Sequence, residues 1–89
     1  MMSGKGIALT PEQAEKFKDG CRQILQSVEA DGTEAAAKFI ADLERLATRV
    51  ERDRWVPAWL MERFVWWATQ AGQVALAADR VIELIKDLG

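Results

Sequence analysis

Hydrophobic residues recur three and four positions apart in three long stretches of the chain, with charged and amide side chains between them. This spacing places the apolar side chains on one face of an α-helix. The first stretch follows Thr10 and Pro11, and Thr10 together with Gln13 has the composition of a capping box. Its apolar positions are Ala14, Phe17, Cys21, Ile24 and Val28. We predict a helix over about residues 11–30.

A second helix is predicted over about residues 34–53. Asp31 and Gly32 end the first helix, because glycine readily takes the left-handed conformation found at helix C-termini. Thr33 can cap the helix that follows. The apolar positions of this second stretch are Ala36, Ile40, Leu43, Ala47 and Val50. The short connection between the two helices predicts an antiparallel helical hairpin.

The third stretch follows Pro57, which ends the preceding helix because the residue before a proline disfavours the helical region. The four-and-three spacing continues through Leu60, Phe64, Trp67, Ala71, Val74, Ala78, Val81, Ile85 and Leu88. An unbroken helix over about residues 57–88 would be about 48 Å long, against about 30 Å for each of the first two. This difference in length leaves two arrangements open.

A break near Gly72 would divide the third stretch and yield four helices that close as a monomeric bundle. A continuous helix would have surplus length that needs a partner, most simply a second copy of the chain. Because the apolar spacing passes through Gly72 without a slip, we favour the continuous helix and a homodimer. The residues of the predicted dimer seam are Ala71, Val74, Ala78, Val81 and Ile85.

The fold class predicted from these patterns is all-α: a small helical bundle made of the hairpin and the long third helix. No alternation typical of a β-strand is visible in the sequence. Of the 89 residues, 49% are hydrophobic and 29% are charged, a balance that suits one small globular domain. We assign residues 10–89 to this single helical-bundle domain and residues 1–9 to a flexible N-terminal segment.

The side-chain chemistry of the chain argues against an enzyme. It contains no histidine and one cysteine, which excludes imidazole-based catalysis and Cys-x-x-Cys motifs. Cys21 falls on an apolar face and is expected to be a small core residue. The acidic residues fall on polar faces and do not converge. We therefore predict no catalytic residues, no cofactor and no metal site.

The expected location is the cytoplasm. The apolar run near the N-terminus, residues 7–9, is shorter than a secretory signal requires, and the apolar residues 55–68 are interrupted by charges. Fourteen alanines and an excess of arginine over lysine favour a bacterial or phage origin. The net charge of −2 provides no overall attraction for nucleic acid or an anionic membrane, and neither is expected as a partner.

Four tryptophans lie close together in and just before the third stretch. Trp67 falls on the apolar face and is predicted to be core. Trp59 and Trp66 are seven residues apart and point away from that face, Arg63 lies between them, and Trp55 can fold over the same surface. Because tryptophan and arginine are enriched in binding hot spots, we predict that these four residues, Trp55, Trp59, Arg63 and Trp66, bind a protein partner. The alternative is that the rings cover the open end of the hairpin or fill the bundle.

A second candidate surface is the arginine ridge, which comprises Arg45, Arg49 and Arg52 on the outer face of the second helix. Such a ridge could contact phosphates. Over residues 44–54, however, four basic residues are interleaved with three acidic ones. We favour a solvated face with internal salt bridges.

The function expected from the sequence is that of a small non-enzymatic protein–protein interaction module. Its role would be that of an adaptor, an assembly subunit or an inhibitor of a larger bacterial or phage machine. The alternative is a helical protein that binds an apolar ligand or a membrane surface through its aromatic residues. A third hypothesis is weak nucleic-acid binding through the arginine ridge.

Overall fold

The computed structural model describes residues 6–88 and shows a small all-α bundle with two three-residue strands. In chain order the elements are β1 (Gly6–Ala8), α1 (Pro11–Glu29), α2 (Glu34–Asp53), β2 (Trp55–Pro57), α3 (Ala58–Ala68) and α4 (Gln73–Lys86). Helix α1 packs against α2 and α4, and α3 packs against α4. Buried side chains from all four helices form one hydrophobic core.

The predicted hairpin of α1 and α2 is present, with the predicted caps. The Gln13 N–H donates to Thr10 Oγ1 at 3.1 Å, and the Thr10 N–H donates to Gln13 Oε1 at 2.9 Å, which completes the capping box. Thr33 caps α2 by accepting from the Ala36 N–H at 3.1 Å. Gly32, between the helices, has a φ of +72°, the left-handed conformation expected for it.

The prediction of one continuous helix over residues 57–88 is wrong, because the segment breaks at Gly72. Helix α3 ends at Ala68 and α4 begins at Gln73. Gly72 has a φ of +82°, which glycine adopts without the steric penalty of a side chain. The chain reverses there, so that α4 packs back against α3. The apolar spacing survives the break because both helices bury their stripes in the same core.

Folding back of α4 also changes the position of the predicted dimer seam. Val74, Ala78, Val81 and Ile85 are buried in the core of the single chain, and Ala71 is exposed in the turn between α3 and α4. These four buried side chains are therefore covered by the chain's own helices. The surplus helix length that called for a second copy does not exist in this arrangement.

The two short strands were not predicted from the sequence. β1 pairs antiparallel with β2, in the register Gly6 opposite Pro57 and Ala8 opposite Trp55. Leu9 is buried, and its N–H donates to the Arg54 carbonyl oxygen at 2.8 Å. The predicted flexible segment 1–9 is therefore corrected over residues 6–9, which are held by long-range pairing. Its first five residues lie outside the described part of the chain, as does Gly89 at the end of the predicted domain.

Two close approaches determine how the helices meet. The Phe39 ring of α2 makes edge-to-face contacts with Phe64 at 5.6 Å and Trp67 at 5.7 Å between centroids, which joins the hairpin to α3. Gly20 lies where α1 meets α4, and a Cβ built on it would be 2.7 Å from Leu84 Cδ1. The glycine inside α1 thus allows the Leu84 side chain to approach the backbone.

Candidate functional site

The most unusual surface of the chain is one side of α3, which we call the aromatic face and define by Trp59, Glu62, Arg63 and Trp66. Trp59 and Trp66 are 51% and 49% exposed, although the other side of the same helix buries Leu60, Phe64 and Trp67 in the core. Residues seven apart lie almost above one another on a helix. The two indole rings therefore share one exposed side of α3, as the sequence predicted.

Trp55 does not have the position expected of a member of this face. It lies in β2, and a Cβ built on Gly6 would be 2.5 Å from Trp55 Cε2. The indole ring therefore covers the backbone of β1, where a glycine leaves room for it. Trp55 is half-buried and packs on the strand pair. Of the four predicted contact residues, the structure brings Trp59, Arg63 and Trp66 together on α3.

Asp42 of α2 lies directly beneath one flank of the aromatic face and was missed by the sequence reasoning. It is 3% exposed, and no other charged residue within residues 6–88 is buried. Its Oδ2 accepts from Trp67 Nε1 at 2.7 Å and from Arg63 Nε at 2.8 Å, and its Oδ1 accepts from Arg45 Nη1 at 3.2 Å. A buried carboxylate with three such donors is well satisfied.

A signal for Asp42 was available in the sequence. The residue follows Phe39 by three positions and precedes Leu46 by four, so it falls on the buried stripe of α2. A charged residue on such a stripe is rarely buried without partners. The expectation that all acidic residues lie on polar faces is wrong at this position.

Asp42 fixes the position of the arginine on the aromatic face. The guanidinium carbon of Arg63 lies 5.5 Å from the centroid of the Trp66 ring, a cation–π distance. Trp66 in turn lies edge-on to Trp67, with 4.8 Å between centroids. Arg63 Nε is bonded to Asp42, whereas its two terminal nitrogens make no hydrogen bond with any residue in the range 6–88. These nitrogens remain available to a carboxylate from outside.

The arginine ridge is an internally paired surface. Arg49 and Arg52 lie 3.6 Å and 3.7 Å from the carboxylate of Asp53, and Arg45 lies 3.2 Å from that of Asp42. Each of the three guanidinium groups therefore lies beside a carboxylate, although Asp42 is shared with Arg63. This geometry matches the solvated, salt-bridged face that the alternation of charges favoured.

Cys21 has the environment of a core residue. It is buried, and burial raises the pKa of its thiol from the ordinary value of 9.0 to about 12. A thiol with this pKa is protonated at neutral pH and is a poor nucleophile. It contributes to a shallow depression of about 160 Å³ between α1 and α2, lined also by Leu25, Leu43 and Ala47. Pockets for drug-sized ligands are larger, about 300–1,000 Å³.

The described residues hold no group of three or more His, Cys, Asp or Glu side chains that could bind a metal ion. Within the same range, no helix is both long enough and apolar enough to cross a membrane.

No family model, curated protein or solved structure matches the chain. Its function is therefore inferred from the geometry of the aromatic face.

Proposed function

We propose that the chain is a non-enzymatic protein–protein interaction module and that its contact surface is the aromatic face of α3. The observation that carries this proposal is the pair of half-exposed indole rings, Trp59 and Trp66, beside an arginine that is held by a buried carboxylate. Tryptophan and arginine dominate the residues whose truncation weakens protein interfaces most. The proposed role is that of an adaptor, an assembly subunit or an inhibitor of a larger bacterial or phage machine, and the proposed location is the cytoplasm.

The arrangement around Asp42 supports a binding role because it reduces the entropy lost on association. A free arginine side chain has many rotamers, and fixing it costs about 0.5–1.5 kcal/mol at an interface. The bond from Arg63 Nε to Asp42 restricts the side chain before any partner arrives. Trp66, which contacts both Arg63 and Trp67, is restricted in the same way.

The other expected functions have less geometric support. An apolar ligand needs a roomy and mainly apolar pocket. The depression beside Cys21 is only about 160 Å³, and a larger one of about 460 Å³ between α1 and the end of α4 is lined by Gln13, Lys16 and Asp87 as well as by apolar residues. Phosphates would have to compete with Asp42 and Asp53 for the arginine ridge. Binding to a membrane surface would use the two exposed tryptophans, but α3 contains one arginine and no lysine, whereas interfacial helices are rich in both on their polar face.

Site-specific photo-cross-linking in the cells that produce the protein tests the proposal. A benzophenone amino acid replaces Trp59 in one variant and Leu76 in another. Leu76 is the matched control because it is also a large exposed apolar residue, 62% exposed, but lies on α4 beside Ser27 and Arg80. We expect a discrete adduct from position 59 and a much weaker one from position 76.

The adduct must also depend on the rest of the face. Arg63→Ala in the position-59 variant is expected to reduce the adduct yield at least about fivefold, which corresponds to the loss of about 1 kcal/mol of binding free energy. Equal yields from positions 59 and 76, or no adduct from either, would overturn the proposed function.

A further inference from the structure

We propose that the aromatic face binds a second copy of this chain, with the two α3 helices parallel and related by a two-fold axis that runs along them. This inference rests on the proposed function, since it names the partner of the same surface. It is independent of the predicted dimer seam, whose α4 residues Val74, Ala78, Val81 and Ile85 are buried within the single chain. The distribution of charge around the two exposed tryptophans favours a second copy as the partner.

The aromatic face has its two charges on opposite flanks. At about 100° per residue, Trp59 and Trp66 lie about 20° apart around the axis of α3. Measured from the centre between them, Glu62 lies about 50° to one side and Arg63 about 50° to the other. The contact between Arg63 and Asp42 places the arginine on the flank that faces α2. Glu62 therefore occupies the flank away from α2.

A two-fold axis parallel to α3 makes this distribution complementary to itself. It brings each tryptophan against the same tryptophan of the second copy. It also exchanges the flanks, so that Arg63 meets Glu62 of the second copy, and by symmetry the ion pair forms twice. Parallel coiled coils use the same kind of pairing, in which oppositely charged residues on opposite flanks of two neighbouring helices form salt bridges.

The antiparallel arrangement of the same two helices is unfavourable. A two-fold axis perpendicular to α3 keeps each flank on its own side, so that Arg63 meets Arg63 and Glu62 meets Glu62. Like charges at such positions destabilise a contact. The distribution of charge therefore selects the parallel orientation.

The surroundings of each charge leave it available for this contact. Asp42 is shared between Arg45 and Arg63, so the three groups together keep one positive charge on the flank that would receive Glu62 of the second copy. Glu62 is exposed, and within residues 6–88 no cationic group lies within 4.0 Å of its carboxylate. Both partners of the proposed ion pair can therefore form it without breaking a bond within the chain.

The size of the face limits the strength of the dimer. Helix α3 has 11 residues and is about 16 Å long. A stable interface commonly buries about 800 Å² on each partner, more than one side of such a helix offers. We expect a Kd of about 10–100 μM. Because the contact is isologous, association stops at two copies.

Sedimentation equilibrium from about 5 to about 500 μM chain tests the inference. We expect a monomer–dimer equilibrium. Trp59→Ala should raise its Kd at least about tenfold, because two stacked indole rings are lost at the axis. Glu62→Gln should raise it at least about threefold, because both ion pairs are lost while the helix propensity hardly changes. Leu76→Ala, which removes an equally exposed apolar side chain from α4, should leave Kd unchanged.

Each other outcome overturns the inference in a different way. A monomer throughout this range excludes the second copy as the occupant. A dimer that survives Trp59→Ala uses another surface. If Glu62→Gln strengthens the dimer, the substitution has removed a repulsion between the two Glu62 side chains, and the helices are antiparallel. The unfolding midpoint of each variant, measured in parallel, excludes misfolding as the cause.

Failure of this inference is distinguishable from failure of the proposed function. In cross-linking from position 59, a second copy gives an adduct of twice the mass of the chain. A monomer that still gives a discrete adduct with a different mass overturns the dimer and retains the interaction surface. A monomer that gives no adduct overturns both.

Discussion

The Asp42 carboxylate accepts a hydrogen bond from Trp67 Nε1 at 2.7 Å, which joins α2 to α3 across 25 positions of sequence. Both side chains are buried, and Asp42 is also bonded to Arg63 at the surface. One carboxylate thus satisfies the indole N–H of a core tryptophan and fixes an arginine on the aromatic face. Stability and the proposed contact surface therefore depend on the same residue.

Replacing Asp42 with alanine is expected to lower the free energy of unfolding by about 2 kcal/mol. The change leaves the buried Trp67 N–H without its acceptor, and removing one partner of a buried polar pair costs about 1–3 kcal/mol. Arg45 and Arg63 are half-exposed and can turn to water, which limits the loss. Urea denaturation measures the effect.

Asp53→Ala is the matched control for this change, because Asp53 also pairs with two arginines but is exposed. Surface ion pairs contribute about 0–1 kcal/mol. Asp53→Ala should therefore change the free energy of unfolding by less than about 0.5 kcal/mol. Equal losses for the two variants would show that Asp42 is no more important than a surface carboxylate.

The free energy of unfolding is expected to fall as the pH rises above about 9, because of Cys21. The thiol of the unfolded chain ionises near its ordinary pKa of 9.0, whereas burial holds the folded thiol protonated up to about pH 12. Above pH 9.0 the thiol of the unfolded chain loses a proton that the folded chain keeps. The free energy of the unfolded state therefore falls relative to that of the folded state, and the protein becomes less stable. The contribution is complete below pH 9.0 and is lost progressively between 9.0 and about 12.

Denaturation of the native chain and of Cys21→Ala at several pH values from about 8 to 11 measures this effect. The alanine variant is less stable below about pH 9 because of the cavity it creates, but its stability should decline less steeply as the pH rises. Other titrating groups are common to both chains and cancel in the comparison. Parallel pH profiles would contradict the prediction.

Gly20→Ala is expected to affect stability differently in two backgrounds. Alanine is better than glycine in a helix by about 1 kcal/mol. In the native chain, however, the new Cβ would lie 2.7 Å from Leu84 Cδ1, so the leucine must move. We expect no net gain there. In a Leu84→Ala background the contact is absent, and the substitution should stabilise the protein by about 1 kcal/mol.

A double-mutant cycle measures the coupling between Gly20 and Leu84. The comparison of Leu84→Ala with the double variant removes the loss of the leucine itself. If Gly20→Ala changed the unfolding free energy equally in both backgrounds, the close approach of α4 to α1 would have no energetic effect.

Gly72→Ala is expected to destabilise the protein by about 1–3 kcal/mol, because its φ of +82° with a ψ of −158° is a backbone conformation that essentially only glycine adopts. Gly72 has a φ of +82°, and nothing lies within 4 Å of a Cβ built on it, so the loss comes from the backbone and not from a clash. Thermal unfolding measures the change.

Arg54→Gly is the reciprocal control. Arg54 caps the C-terminus of α2 with a φ of +52°, where glycine is the preferred residue. This substitution should raise stability by up to about 1 kcal/mol. Destabilisation by both changes would contradict the explanation from backbone conformation.

The helices and their caps were predictable because they depend on neighbours in sequence. Thr10 and Gln13 lie one helical turn apart, and so do Thr33 and Ala36, so their hydrogen bonds follow from local composition. The alternation of apolar positions likewise fixes which side of each helix is buried. It placed Trp59 and Trp66 on the exposed side of α3 and Trp67 in the core, where the structure has them.

The break at Gly72 could not be predicted from spacing, because a continuous helix and two helices that fold back on one core show the same apolar pattern. What distinguishes them is whether Val74 and Val81 meet the hairpin of the same chain, a contact between distant residues. The strand pair could not be predicted from spacing either, because it joins distant residues: Gly6 and Pro57 lie 51 positions apart in the sequence.

The helices, their caps and the sides they bury follow from local sequence, because these properties arise from residues within one or two helical turns. The reversal at Gly72, the packing of Trp55 on Gly6 and the bonds from Asp42 to Trp67 and Arg63 depend instead on how distant segments pack together. Each of these contacts joins segments that no local propensity brings together. They form because burying the apolar stripes in one core leaves these side chains adjacent, where the buried polar ones must find hydrogen-bond partners.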